Sequence, residues 1–206
     1  MILHLTGGIY IMKELFDRKW WVVLFSAVII TGTISFITFS YNSEKKLQQD
    51  TKESLDKSTY QKELKSHIDL LNAKYDQIVA KEWLPAWDII NGNKNNVNKA
   101  ELIEKMNQIS NDFSELSSQM ENFKAEKKLQ DTDLKKKMNH FRIAFIAASN
   151  YMKNAASSVS EDLSDGTPLN EISQNTLHPL GLADQNMVMA LSTLSEINNL
   201  FGITKK

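Results

Sequence analysis

The chain has 206 residues, 42% of them hydrophobic, with 24 basic against 25 acidic side chains and no cysteine. So even a charge balance leaves no electrostatic footprint for nucleic acid, which is excluded as a partner. The absence of cysteine excludes disulfide frameworks, thiolate catalysis, cysteine-held metals and lipoprotein attachment.

Residues 1–19 read as a short N-terminal tail. Its first eleven residues, MILHLTGGIYI, lack the character of a targeting segment, whereas Met12 opens MKELFDRKWW, a charged lead into an apolar run. Met12 is therefore the expected native start. Trp20 to Phe39 follows, twenty residues without a charge. As a helix rising about 1.5 Å per residue it would span roughly 30 Å, the thickness of a bilayer's hydrocarbon core. Trp20 and Trp21 at one end and Phe39 and Tyr41 at the other suit the headgroup level. The run exceeds the roughly 7–15 residues of a cleaved signal, and no A-x-A site follows it. Residues 20–41 are thus expected to be a retained single-pass transmembrane anchor, with the lipid bilayer as partner. Arg18 and Lys19 abut the run on one side, and the nearest base on the other is Lys45. That asymmetry predicts an inside N-terminus and an extracytoplasmic C-terminal domain. The wider lysine and arginine counts nearly tie, so the reverse orientation stays open.

From Asn42 to Lys62 the helical template finds only Leu47, Leu55 and Tyr60 among polar residues, and a solvated helical stalk over 42–62 is expected. The bundle domain is placed at 63–203. Its first stretch carries Leu64, Ile68, Leu71, Tyr75 and Ile78 at spacings of four and three. Pro85 predicts a kink or a break, with a short second helix through Ile90. Trp83 and Trp87 are assigned to the core, and Gly92 to a left-handed helix terminus before an asparagine-rich loop.

The next helix is the most regular. Asn98 and Glu101 are spaced as a capping box, and Leu102, Met106, Ile109, Phe113, Leu116, Met120 and Phe123 alternate strictly by four and three. A repeat of 3.5 sustained so long predicts coiled-coil-like packing. A third helix starts near Asp131 with Leu134, Met138, Phe141, Phe145, Ala148, Met152 and Val159 inward, and a polar turn is expected over Ser160–Gly166. Thr167-Pro168 predicts a short helix through about Asn175, and His178-Pro179-Leu180-Gly181 a second break. The last helix, from about Leu182 to Phe201, is expected to turn Met187, Leu191, Leu194, Ile197 or Asn198, and Phe201 inward. The fold class is therefore all-α: one transmembrane helix, a helical stalk and an antiparallel bundle of about four helices.

No constellation for chemistry emerges. His4, His67, His140 and His178 are isolated, with neither H-E-x-x-H nor paired Glu-x-x-His spacing. Glu161, Asp162 and Asp165 miss calcium-loop positions. There is no G-x-S-x-G turn and no phosphate loop. No residue is assigned a catalytic, cofactor-binding or metal-binding role, and no enzyme activity is expected. Met187 and Met189 suggest an adaptable binding face, with core filling as the simpler account. The rarity of arginine, only Arg18 and Arg142, points to an AT-rich bacterial source. The combined expectation is a non-enzymatic protein–protein interaction domain on a bacterial cell membrane, with a protein partner. Its roles could include immunity, exclusion or service to an envelope complex. A sensory or regulatory ectodomain and a cytoplasm-facing membrane scaffold are the alternatives.

Overall fold

The computed structural model describes residues 44–92 and 98–203. The chain divides into two compact units, Met1–Thr51 and Lys52–Lys206. Of the first, residues 44–51 are helical and exposed, with Thr51 Oγ1 donating to the Leu47 carbonyl at 2.8 Å. The tail and the anchor over 20–41 lie outside the described residues. Among those described, no helix is long and apolar enough to cross a membrane.

The second unit is a bundle of four helical rods. The first runs from residue 52 to residue 90 and changes its winding twice. Helical residues 52–59 lead into a π turn, Tyr60–Leu64, followed by α1 (Lys65–Ile78), a second π turn (Val79–Trp83) and α2 (Leu84–Ile90). Each π turn holds more residues than an α turn and resets the phase of the buried stripe. Buried positions accordingly step by four through Asp56, Tyr60, Leu64 and Ile68, and by five from Ile78 to Trp83. Pro85 falls just inside the start of α2, so the expected interruption is a π turn and the chain never leaves helical winding. Trp83 is buried and stacks on half-buried Trp87, with ring centroids 5.3 Å apart. Gly92, at φ 79°, closes the rod in the left-handed region.

The other rods are α3 (Lys99–Asn122), α4 (Thr132–Asp165) and α5 (Leu169–Leu200), with a 3₁₀ turn, Ala125–Lys128, between α3 and α4. Asn98 Oδ1 accepts the Glu101 N–H, and Asp131 accepts those of Asp133 and Leu134, as helix caps should. Six of the seven stripe residues of α3 are buried, and Phe123 is half-buried. All seven inward residues of α4 are buried.

Cross-links fix an up-down-up-down arrangement. Glu82 meets Lys105 at 3.2 Å and Glu63 meets Lys128 at 3.0 Å, so the first rod and α3 are antiparallel. Ser110 bonds Ser157, and Ser160 bonds Asn107, each at 2.8 Å, along the antiparallel seam of α3 and α4. Tyr60 OH donates to Asn198 Oδ1 at 2.8 Å and Ser173 Oγ to Asn91 Oδ1 at 2.6 Å, closing the ring between α5 and the first rod. At the centre, Tyr75 touches Phe113 and Phe145 edge-on, with centroids 5.4 and 5.8 Å apart.

Three boundaries differ from expectation. The bundle starts before residue 63, because Tyr60 and Asp56, counted with the stalk, are 0% and 1% exposed. The Asp56 carboxylate accepts the backbone N–H groups of Gln130 and Asp131, each at 2.7 Å, just ahead of α4. Charge-assisted bonds of this kind make its burial tolerable. The predicted polar turn over Ser160–Gly166 is instead the last turn and a half of α4. Leu163 extends the stripe, Ser160 is satisfied by Asn107, and Gly166 at φ 86° ends the helix.

The third difference is the largest. No break occurs at His178–Gly181: α5 is continuous, with Pro168 as its N-cap and Pro179 inside it. Pro179 donates nothing to the Asn175 carbonyl, a local cost. Packing outweighs it, since Ile172 and Thr176 before the proline and Ala183 after it are all buried against one core.

Candidate functional site

The outer surface of α5 sets it apart from the other rods. The middle of its core side is built from small residues: Ala183 and Ala190 are fully buried, flanked by buried Ile172 and Thr176 on one side and Leu194 and Ile197 on the other. With the central inward positions taken by alanine, the larger side chains of that stretch stand elsewhere. Leu191, expected inward, is 45% exposed, and Met187 is half-buried. Leu177 and Val188 are exposed by 60% and 66%.

These residues form a second stripe. Leu177, Gly181, Asp184, Val188, Leu191 and Ser195 recur at spacings of four and three, and all six are exposed. On α3 the corresponding outward residues include Glu101, Gln108, Glu115 and Ser118, a solvated face. On α5 the outward stripe carries one charge, that of Asp184.

A groove of about 370 Å³ runs beside the stripe between α4 and α5. Its lining includes His140, Ile143, Ala144, Asn186, Met189 and Ser192. Ile143 and Met189 are each about half exposed there. The apolar run 143–148 of α4 thus contributes a surface residue, Ile143, as well as core, and Met189 stands at the surface rather than in the interior. Nearby, Lys137 is paired with Glu196, tying α4 to the end of α5.

A second cleft, about 220 Å³, separates the first rod from α3 and is lined by Lys74, Gln77, Glu82, Asp112, Glu115 and Gln119 among others. Burial pushes the Asp112 carboxyl above its ordinary range, against the lowering hydrogen bond from Gln108. Lys74 and Gln119 bond across this cleft at 3.0 Å, and Lys105 reaches Glu82, so its polar groups satisfy one another.

The histidines stay apart. His67 packs on Phe123 with centroids 4.3 Å apart, His140 lines the α4–α5 groove, and His178 is exposed; His4 lies outside the described residues. Glu161 and Asp165 are exposed at the end of α4. Among the described residues, no three His, Asp or Glu side chains gather where they could hold a metal ion. Arg142 and Glu126 form a contact ion pair at 3.6 Å, each about one-fifth exposed, which ties the 3₁₀ turn to α4.

Sequence reasoning missed the outward stripe. Its signal was present: the four-and-three repeat through Leu177, Val188 and Leu191 competes with the alanine repeat for the inward face. Comparison with protein-family models, with curated proteins and with solved structures finds no match to this chain.

Proposed function

We propose that this chain is a membrane-anchored, non-enzymatic interaction protein, tethered through residues 20–41 and presenting its bundle outside the cytoplasm. The tether rests on the charge-free run from Trp20 to Phe39, which has the length and aromatic ends of a single span. The interaction role rests on one observation. A bundle whose core is already complete carries a further apolar stripe, Leu177, Val188 and Leu191, on the outside of α5. Exposed apolar side chains aligned on one helix face lose water when a partner covers them, and contiguous patches of this kind mark contact surfaces.

Two experiments test the two halves. Protease treatment of intact protoplasts is expected to remove the bundle while leaving the anchor in the membrane. Full protection of the bundle would reverse the orientation. Photo-crosslinking in cells, with the reactive residue placed in turn at Val188, Leu84, Glu115 and Asn154, is expected to give discrete protein adducts. A smear common to all four sites, or no adduct at any, would remove the interaction role.

A further inference from the structure

We propose that the outer stripe of α5 docks a basic amphipathic helix of a partner protein. The inference rests on the interaction function above and names the chemistry of the partner. Three observations carry it.

The first is spacing. Leu177, Gly181, Asp184, Val188, Leu191 and Ser195 keep the four-and-three repeat over five turns, and every one is exposed. A surface with that repeat receives another helix side by side, because its ridges and holes match those of a second α-helix. From Leu177 to Ser195 a partner helix of about 18 residues, roughly 27 Å long, would be accommodated.

The second is charge. Between Lys153 and Lys205 the sequence contains no lysine or arginine, but it contains Glu161, Asp162, Asp165, Glu171, Asp184 and Glu196. Asp184 sits within the stripe, Glu171 is exposed at the start of α5, and Glu161 and Asp165 are exposed on the adjoining end of α4. Glu196 is already engaged by Lys137. An apolar strip that carries Asp184 and no lysine or arginine of its own favours a partner with lysines or arginines flanking its apolar face, and repels an acidic one. A second copy of this helix would set Asp184 against its like with no lysine or arginine in either strip. An anionic membrane surface would meet the same repulsion.

The third is the groove between α4 and α5. At about 370 Å³, floored by Ala144 and walled by Ile143 and Met189, it lies beside the stripe and offers room for one bulky apolar anchor. Such anchor pockets concentrate the binding energy of helix-mediated contacts. The flexible thioether of Met189 adapts to the anchor's shape.

The test uses the full chain in phosphatidylcholine nanodiscs and a fluorescein-labelled amphipathic peptide of leucine and lysine, read by anisotropy. A matched peptide of leucine and glutamate is the comparison. The leucine–lysine peptide is expected to bind saturably and to weaken as salt is raised, with the glutamate peptide weaker by about tenfold or more. Val188→Lys and Asp184→Lys are each expected to weaken the lysine peptide by about tenfold, whereas Leu84→Lys, on the exposed side of the first rod, leaves it unchanged. Circular dichroism melts confirm that each variant keeps its fold, as these exposed positions should allow. Asp184→Asn, which removes the charge with little change of shape, is expected to give an intermediate loss. Equal affinity for both peptides, or equal affinity of Val188→Lys and Leu84→Lys for the lysine peptide, overturns the proposal. So does sedimentation showing a dimer that Val188→Lys converts to monomer. Any of these removes the docking strip alone; the interaction function itself falls only on the crosslinking result given above.

Discussion

Helices α3 and α5 show how differently two rods of one bundle can use their surfaces. In α3 the large apolar residues form one stripe, that stripe is buried, and charge covers the rest. In α5 the middle of the buried stripe is alanine, at Ala183 and Ala190, and leucine and valine recur on the outside. An inward face can be small when the neighbouring helix supplies the bulk, as Phe141, Phe145 and Met152 of α4 do in this core. The difference teaches that hydrophobic size identifies the core face only where the helix has a single apolar stripe. Where there are two, the tighter approach belongs to the smaller residues.

The comparison is broken most directly by substitution. Phe113→Ala, which empties the centre of α3 beneath Tyr75, is expected to cost about 3–5 kcal/mol in urea unfolding. On α5, Leu177→Ala and Val188→Ala should stay within roughly 0.5 kcal/mol of the parent. A large loss at Val188 would mean that the stripe is core.

A sharper version exchanges the two stripes of α5. Ala190→Leu forces a larger side chain into a filled interior and is expected to destabilise by about 1–3 kcal/mol. Leu191→Ala, one residue on, should cost less than about 1 kcal/mol. The opposite order in thermal melts would restore Leu191 to the inside.

The Asp56 clamp allows a comparison between rods. Asp56→Ala leaves two backbone N–H groups without their acceptor ahead of α4 and is expected to cost about 1–3 kcal/mol. Asp131→Ala, which removes an ordinary exposed cap, should cost about 1 kcal/mol. Equal effects would show that burial adds nothing to the clamp.

The smallest expected effect is a pH response. Burial pushes the Tyr60 and Tyr75 phenols above their ordinary value of 10.0, helped by the nearby carboxylates of Asp69 and Asp184 respectively. The folded chain therefore holds these protons after the unfolded chain has released them. Their contribution is complete below pH 10 and declines as pH rises beyond it. Chemical denaturation followed from pH 9 upward should show falling stability, with a shallower fall in Tyr60→Phe. An unchanged slope in that variant would count against the Tyr60 contribution.

Much of the bundle was legible in the sequence. The caps at Asn98 and Asp131, the left-handed Gly92 and the stripes of α1, α3 and α4 all followed from spacing and residue chemistry. The failures share a physical cause: local signals yielded to tertiary packing. Pro179 is a helix breaker in isolation, but buried neighbours on either side hold the winding. Asp56 is a charged residue and Tyr60 a lone aromatic in a polar stretch, and their partners, Gln130, Asp131 and Asn198, lie far along the chain where no local pattern reveals them. The docking strip was obscured because leucine outranked alanine in choosing the inward face of α5.

The π turn at Val79–Trp83 has a consequence for how this chain can tolerate change. Outside a π turn, losing one residue would swing every later side chain about 100° around the axis and expose the core. Here a one-residue deletion would relax the wide turn to ordinary α winding and leave Trp83 and Ala86 facing their old neighbours. The first rod thus carries slack at a defined position, and length variation should be absorbed there before it is absorbed in α3.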